Sequence, residues 1–137
     1  MMLAIERAAW SEEAAGFLAP AMRHEPGVTV ATLAGMVECG SGELFAVLAA
    51  GQMVGAYVLR VDRMENGKEG VIVAAGGRLP GYRLLRSILP VIEANQMHGC
   101  NTIRIHTARP GIAREMRRAG YVVREIVLAK GLEYGRQ

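Results

Sequence analysis

The sequence of 137 residues has few of the side chains that hydrolytic and metal-dependent chemistry requires. It contains one Asp (Asp62), three Ser and three His, which leaves little material for a Ser/His/Asp triad or for a carboxylate cluster that binds Mg²⁺. No GxxxxGK[ST] stretch occurs, so a P-loop is excluded. The composition therefore disfavours hydrolases and nucleotidyl transferases.

Cysteine is also scarce, and long apolar runs are missing. Cys39 and Cys100 stand alone, which argues against a disulfide framework and a zinc site, and we expect both thiols to be buried. The longest charge-free stretch, 44–59, is broken by Gly51-Gln52 and is shorter than the roughly 18 apolar residues of a membrane-spanning helix. The N-terminus lacks the pattern of a signal peptide. We therefore expect a cytoplasmic protein without a membrane span.

The residues that are present indicate a folded chain. Hydrophobic residues make up 51% of it, which predicts a single domain over 1–137, ending in a polar tail at 132–137. Acidic residues dominate the first 50 positions, and basic residues dominate the last third. Of the 16 cationic residues 14 are Arg, a side chain suited to bidentate recognition of phosphate or carboxylate.

Hydrophobic periodicity and turn residues divide the chain into ten elements. Ser11 is a predicted helix N-cap, and Pro20 disrupts the helical pattern that follows it. Turns are predicted at Gly51-Gln52 and at Asn66-Gly67. The later elements are a strand at 102–107, a helix at 112–119 and a final strand at 121–130. The order β-α-α-β-β-β-α-β-α-β predicts an α/β (α+β) fold, with a mixed, mostly antiparallel sheet of about six strands and helices on both faces.

The glycine-rich stretch Gly76–Arg83 precedes a predicted helix and is the most informative part of the sequence. Free N–H groups at a helix N-terminus and the helix dipole form an anion site suited to a pyrophosphate. Gly81 lets the main chain approach such an anion, and Arg78 and Arg83 add charged donors. A loop with solvated arginines is the alternative. Within the helix, Pro90 should cause a kink unless a bulge absorbs it.

Three segments, taken together, resemble the GNAT superfamily of N-acetyltransferases along essentially the whole chain. Residues 3–13 are similar to the opening strand and helix start of that family, and residues 71–84 are similar to its fourth strand and coenzyme loop. Residues 112–123, with Gly120-Tyr121, are similar to its fourth helix and the start of the next strand. The resemblance implies acetyl-CoA as cosubstrate, an amine acceptor and no metal.

The resemblance also implies which residues bind the coenzyme. The family pattern is [Gln/Arg]-x-x-Gly-x-[Gly/Ala], and the chain matches it at Arg78 and Gly81 but has Arg83 where the pattern has a small residue. Arg83 either crowds the phosphates or turns away and grips the 3′-phosphate. By the same resemblance, main-chain groups of the preceding strand pair with the pantetheine arm. They belong to Val73, Ala74 and Ala75.

The general acid of the family is missing from its usual place. Many members have a Tyr where this chain has Met116, and a thioether cannot donate a proton. The Asn often found seven residues upstream is Arg109. Tyr82 and Tyr121 are the nearby hydroxyl candidates, and we expect Tyr121 to be packed in the core. Tyr82 is therefore the predicted acid, if chemistry occurs.

The general base must accept the ammonium proton of an amine acceptor. His106 is the first choice, because it projects from the strand beside the predicted coenzyme cleft. Four other candidates are expected to lie at the surface: His24, Glu25, Glu38 and Glu43. An outward-facing polar residue is the alternative role for His106 as well.

Three functions follow from these observations. The first is acetyl transfer from acetyl-CoA to an amine of a small molecule or protein. The second is a catalytically inactive GNAT-like structural or assembly protein, such as a phage-encoded virion component, with a homo-oligomer as a possible form. The third and weakest is nucleic-acid binding, since no aromatic residues for stacking accompany the basic patch. That patch consists of Arg109, Arg114, Arg117 and Arg118.

Overall fold

A computed structural model describes residues 2–22, 27–97 and 99–133 of the chain. Over these residues the elements follow one another in the order that the sequence predicts up to the last helix. They are β1 (Leu3–Ala8), α1 (Glu12–Met22), α2 (Val30–Glu38), β2 (Glu43–Ala49), β3 (Gln52–Met64), β4 (Gly67–Gly77), α3 (Leu84–Val91), β5 (Thr102–Ile105) and α4 (Pro110–Arg118). A π-helical turn, Ile92–Gln96, directly continues α3.

The helix starts agree with the capping signals, and the prolines are accommodated in two different ways. The Ser11 hydroxyl accepts a hydrogen bond from the Ala14 N–H at 3.1 Å, and Thr29 forms a reciprocal cap with Thr32. The expectation that Pro20 interrupts α1 is wrong: the helix runs through Pro20 to Met22. Because Pro20 lies near the end of α1, few backbone hydrogen bonds depend on it. Pro90 is followed at once by the π-helical turn, which is the bulge that a proline in this position requires.

The five described strands form one sheet in the order β1-β2-β3-β4-β5. The first four pair antiparallel, and β5 is parallel to β4. The β2–β3 turn is centred on Ala50 and Gly51, both with positive φ, one residue before the predicted Gly51-Gln52. In the β3–β4 turn only Gly67 has a positive φ. The mixed, mostly antiparallel sheet is confirmed.

Helices cover both faces of the sheet, as the alternating apolar positions of the strands require. One face carries Tyr57 and Ile72, which pack with α3, the π-helical turn and Met116 of α4. The opposite face carries Val58 and Ala74, which pack against α1 and α2. Burial raises the pKa of Tyr57 to about 12, against the opposing effect of a 2.7 Å hydrogen bond from its hydroxyl to Gln96 Oε1.

Two expectations are corrected. The sheet has five strands over the described residues and not about six, because the segment 121–130 runs without regular secondary structure and forms no ladder. The apolar side chains of this segment at 122, 123 and 126–128 are exposed. Cys39 is exposed rather than buried, at the end of α2, and the Ser41 hydroxyl beside it lowers the pKa of its thiol. Cys100 is half-buried.

Candidate functional site

The site begins where strands β4 and β5 separate. Their parallel ladder joins residues 69–72 to 102–105 and ends at Ile72 and Ile105. On the other edge of β4 the register with β3 shifts by one residue next to Ile72. Val58 lies opposite Ala74, but the next residue, Leu59, lies opposite Ile72. Val73 is therefore the extra residue of a β-bulge, a feature that bends a strand away from its neighbour.

Beyond the bulge, main-chain groups of β4 face the gap. The Arg78 N–H donates to Val54 O at 2.8 Å, which fixes the phase of the β3–β4 hydrogen bonds. In an antiparallel pair, the residues between two hydrogen-bonded pairs direct their N–H and C=O groups away from the partner strand. Ala75, opposite Tyr57, is such a residue. Its main-chain donor and acceptor point to the open side that β5 has left.

Two glycines end β4 because other backbone lies too close for a side chain. A Cβ on Gly76 would lie 1.9 Å from the Phe17 carbonyl oxygen of α1, and one on Gly77 would lie 2.8 Å from the Val54 oxygen. Gly76 thus lets α1 pack directly on the end of β4, and Gly77 lets β3 approach it. This contact holds α1 against one wall of the gap.

A cavity of about 460 Å³ occupies this gap. Its size lies within the range of small-molecule sites. It is bounded by the end of β4, by the loop and first turns of α3, and by the chain just after β5. Of the site residues predicted from the sequence, only Arg83 does not line the cavity. The predicted residues that do line it are Val73, Ala74, Ala75, Arg78, Gly81, Tyr82 and His106.

The loop between β4 and α3 contains a tight turn. Pro80 and Gly81 are its central residues, Gly81 has φ +82°, and the Tyr82 N–H donates to Leu79 O at 3.0 Å. This is a type II turn, in which Pro suits the first central position and Gly the second. The positive φ is thus the reason that Gly81 is a glycine, and not only the close approach of a ligand.

The N-terminus of α3 follows this turn. Among the described residues none accepts a hydrogen bond from the N–H groups of Leu84, Leu85 or Arg86, the first turn of the helix. These free donors and the helix dipole favour an anion. Arg78 lines the same cavity and forms no ion pair with any described residue. The arrangement can therefore bind a negatively charged group such as a pyrophosphate.

Arg83 is turned out of the cavity. Its guanidinium Nη1 lies 2.5 Å from Glu115 Oε1 on α4, and Arg86 Nη2 lies 3.2 Å from Glu115 Oε2. Partial burial raises the pKa of Glu115, but the charges of Arg86 and Arg83 outweigh it and keep that pKa below its ordinary value. In this arrangement the Arg83 side chain does not line the cavity.

His106 and Tyr82 lie on different walls of the cavity. His106 is on the wall formed by the chain after β5, and Tyr82 is on the wall formed by the loop before α3. His106 follows β5, is half exposed, and its Nε2 accepts a hydrogen bond from Arg104 Nε at 3.3 Å. Glu125 Oε1 lies 3.9 Å from the same nitrogen. Tyr82 lines the cavity and is 43% exposed.

Two other positions considered for the general acid, Met116 and Tyr121, lie outside the cavity. Met116 is 3% exposed and belongs to the core, so the position of the usual family Tyr does not reach this gap. Tyr121 packs on the same core, as expected, and its hydroxyl donates to Glu93 Oε2 at 2.8 Å. Burial, together with that carboxylate, raises the pKa of Tyr121. Among the described tyrosines, Tyr82 is the one that lines the cavity.

The remaining candidates are not gathered at the site. His24 and Glu25 lie outside the described residues. Glu38 and Glu43 are exposed and do not line the cavity, and Glu43 lies 3.8 Å from Arg7. Within the described residues no group of three or more His, Cys, Asp and Glu is placed to hold a metal ion. None of the described helices is long and apolar enough to cross a membrane.

Comparison with solved structures identifies the architecture. A transcriptional regulator from Bacillus halodurans C-125 superposes with a TM-score of 0.70 at 17% identity, over 96% of this chain and 100% of that one. Glucosamine-6-phosphate N-acetyltransferase from Arabidopsis thaliana superposes with a TM-score of 0.66 at 15% identity, over 97% and 100%. Ribosomal-protein-alanine N-acetyltransferase from Brucella melitensis biovar Abortus 2308 gives 0.63 at 12% identity, over 93% and 100%.

The chain has the GNAT fold. No protein-family profile and no curated protein sequence matches it, so the likeness is one of structure. The GNAT fold accounts for the bulged strand, the gap between β4 and β5 and the helix N-terminus that closes the gap. The departures at Arg83 and Met116 make this a divergent example of the GNAT fold.

The sequence did not reveal every residue around the gap. Ala21 and Met22, at the end of α1, line the cavity, and so do Thr107 and Arg109 after β5. A local signal for Thr107 and Arg109 was present. Pro110 marks the start of α4, so the residues before it could be expected between the end of β5 and α4. Glu115, which holds Arg83, is 32 residues away along the chain, and no local pattern could have paired them.

Proposed function

We propose that this chain is an N-acyltransferase that moves an acetyl group from acetyl-CoA to an amine. The observation that carries the proposal is the separation of β4 from β5, which exposes the main-chain groups of Ala75 inside a cavity of about 460 Å³. An extended amide-containing chain such as pantetheine can pair with these groups as an added strand does. Solved acetyltransferases with the same fold support this proposal.

The phosphate end of acetyl-CoA would meet the N-terminus of α3. The free N–H groups of Leu84, Leu85 and Arg86 would donate to the pyrophosphate, and Arg78 would add a charged donor. Arg83, held by Glu115, leaves this space open. Arg78 and Gly81, which match the family pattern, are therefore suited to the coenzyme. Arg83, which departs from the pattern, is compatible with it because its side chain is held by Glu115.

The chemistry needs a base, a polarising donor and an acid. In the proposed reaction His106 accepts a proton from the amine, whose nitrogen forms a C–N bond with the thioester carbonyl carbon. A main-chain N–H at the bulge, near Ala74, donates to the carbonyl oxygen as charge develops there. The C–S bond breaks, and the Tyr82 hydroxyl supplies the proton that the departing thiolate takes up. Tyr82 then recovers a proton from solvent, and His106 releases the proton it accepted to solvent.

Calorimetry with acetyl-CoA and with CoA tests the binding part of this proposal. We expect a one-to-one stoichiometry and a rise in the thermal unfolding temperature, because a ligand that binds only the folded chain stabilises it. Absence of both heat and thermal shift at millimolar ligand overturns the acyltransferase proposal. A panel of primary amines with thiol release as the readout then identifies the acceptor.

His106→Gln tests the chemical part. Gln keeps the size and a hydrogen-bonding group but is not a base, so we expect kcat to fall by about 100-fold. The dissociation constant for CoA should stay within twofold, because His106 faces the acceptor side. Glu38→Gln, a change at the surface away from the cavity, is the matched control. A His106→Gln enzyme with wild-type kcat would remove His106 from the mechanism.

The second candidate is an inactive assembly protein, including the phage virion component. Two observations favour it: Met116, at the position of the usual acid, is in the core, and a run of apolar side chains at 122–128 is exposed. For this function we expect a folded protein that does not bind CoA and that sediments as an oligomer or larger particle. CoA binding with turnover contradicts it.

A further inference from the structure

The charged side chains that line the cavity between β4 and β5 are of one sign. Among the described residues of its lining there is no Asp and no Glu, whereas Arg78 and Arg109 are both present. Neither arginine forms an ion pair with a described residue. Arg78 lies on the wall that the proposed function gives to the coenzyme phosphates. Arg109 is therefore a positive charge at the cavity that the proposed coenzyme contacts leave unused.

Arg109 lies on the same wall as the proposed base. It comes three residues after His106, so the main chain between the two residues spans at most about 10 Å. The Arg109 N–H donates to the Thr107 hydroxyl at 3.1 Å, a local turn that holds Arg109 at the end of this loop. The imidazole and the guanidinium thus border the acceptor side of the cavity together.

The N-terminus of α4 adds to this positive region. The helix begins at Pro110, directly after Arg109, and Ile112 of its first turn lines the cavity. No described residue accepts a hydrogen bond from the N–H groups of Gly111 or Ile112, and the positive end of the helix dipole lies there. A guanidinium and two free N–H groups at one edge of the cavity favour an anion.

Negative charge is found beside His106 instead. Glu125 Oε1 lies 3.9 Å from His106 Nε2, although Glu125 is not among the residues that line the cavity. A primary amine arrives as an ammonium group at neutral pH, and this carboxylate attracts it toward the proposed base. The acceptor side of the cavity therefore presents negative charge at His106 and positive charge at Arg109.

We propose that the acceptor is a small amine that carries a carboxylate or a phosphate a few bonds from its nitrogen, and that Arg109 binds this anionic group. The inference rests on the proposed acetyl transfer and gives the chemical class of its second substrate. The ammonium end lies near Glu125 and His106, and the anionic oxygens accept hydrogen bonds from the guanidinium and from the α4 N–H groups. Polycationic amines are poor acceptors, because their second ammonium meets Arg109.

Matched pairs of amines test this acceptor class. β-Alanine is compared with β-alaninamide, and O-phosphoethanolamine with ethanolamine, at saturating acetyl-CoA and about 0.15 M salt, where long-range charge effects are largely screened. In at least one pair we expect kcat/KM to be about tenfold higher for the anionic member, as one charged hydrogen bond provides. The pair that shows the preference distinguishes a carboxylate from a phosphate. Equal values within both pairs overturn this inference and leave acetyl transfer standing.

Arg109→Gln tests the residue, because Gln keeps a hydrogen-bonding group and removes the charge. We expect the ratio of kcat/KM within the preferred pair to fall about tenfold, mainly through KM of the anionic amine. Arg117→Gln removes the same charge from an exposed position of α4 outside the cavity, so it is the matched control and should keep the ratio.

Calorimetry with CoA separates the remaining outcomes. The dissociation constant should stay within about twofold of wild type in both arginine variants, since neither residue is assigned to the coenzyme. Weaker CoA binding by Arg109→Gln, with equal loss of turnover for both members of a pair, assigns Arg109 to the coenzyme and overturns the inference. Absence of turnover with every amine overturns acetyl transfer itself, and this inference with it.

Discussion

Strand β4 has a partner on both edges over Glu69–Ile72, but over Ala74–Gly77 it pairs with β3 alone. At the first end a buried carboxylate closes the structure. Glu69 is 1% exposed and accepts hydrogen bonds from Arg124, from Arg104 and from Thr102. At the other end small residues leave a cavity, and main-chain groups are exposed to it. One strand is thus held by buried side chains at its start and borders a cavity at its end.

The difference shows how a single strand divides these tasks. Where β4 is closed, side chains satisfy one another, so Glu69 has no unmet hydrogen-bonding capacity. Where β4 is open, its side chains are small or absent, the α1 backbone lies against Gly76, and the cavity takes up the remaining space. Because a bulge at Val73 separates the two ends, a change at one end should leave the other largely intact.

Comparing Gly76→Ala with Gly70→Ala should give the largest effect. At Gly76 the new methyl group meets the Phe17 carbonyl oxygen at 1.9 Å, and that backbone cannot move without α1. We expect a loss of about 3 kcal/mol or more in the free energy of unfolding. At Gly70 the methyl group meets the flexible Met97 side chain at 2.5 Å, and we expect about 1 kcal/mol.

Urea unfolding of the two glycine variants measures both losses. Equal losses would show that the open end is no more constrained by backbone than the closed end.

Glu69→Gln tests the closed end. Hydrogen bonds from Arg124, Thr102 and Arg104 keep the pKa of Glu69 far below its ordinary value of 4.5, despite its burial. The carboxylate therefore stabilises the fold above pH 4.5, and this contribution is lost as the pH falls toward the folded-state pKa. We expect Glu69→Gln to cost about 3 kcal/mol at pH 7, because it leaves two arginines without their shared anion.

Unfolding measured from pH 7 to pH 3 should show the wild type and Glu69→Gln converging as the pH falls. Glu65→Gln, in the exposed turn before β4, is the control and should follow the wild type. A constant difference between wild type and Glu69→Gln across this range would contradict the role of the ionised carboxylate.

Arg78→Ala and Arg83→Ala sharpen the picture of the open end and should have the smallest effects. Arg78 lines the cavity, so its removal should weaken CoA binding about tenfold through the loss of one charged hydrogen bond. Arg83 is engaged with Glu115, so its removal should change the dissociation constant less than about twofold. Calorimetry gives both values. A larger loss at Arg83 would mean that it swings back onto the 3′-phosphate.

Much of the fold could be predicted because its signals are local. Ser11 and Thr29 begin helices, and Gly81 forces a turn, whatever surrounds them. The final strand at 121–130 could not be predicted correctly, because a strand exists only where a neighbouring edge accepts it. Pro20 was misread because its cost depends on its distance from the helix end.

The candidate site follows the same division. Arg78, Gly81 and Tyr82 lie together in sequence, so the loop could be found, and His106 followed from the alternation of a strand. The outward turn of Arg83 depends on Glu115, and the coreward position of Met116 depends on how α4 packs. Such outcomes depend on residues brought together only by the folded chain, which local patterns do not encode.

The type II turn at Leu79–Tyr82 affects the conformational entropy that this loop would lose on binding an anion. Pro80 fixes one backbone angle, Gly81 accepts the angle that other residues avoid, and a hydrogen bond closes the ring. Pro80 reduces the number of conformations that the unfolded loop can adopt, and the turn hydrogen bond restricts the folded loop. For the coenzyme binding proposed at the α3 N-terminus, we therefore expect little ordering entropy to be lost in this turn.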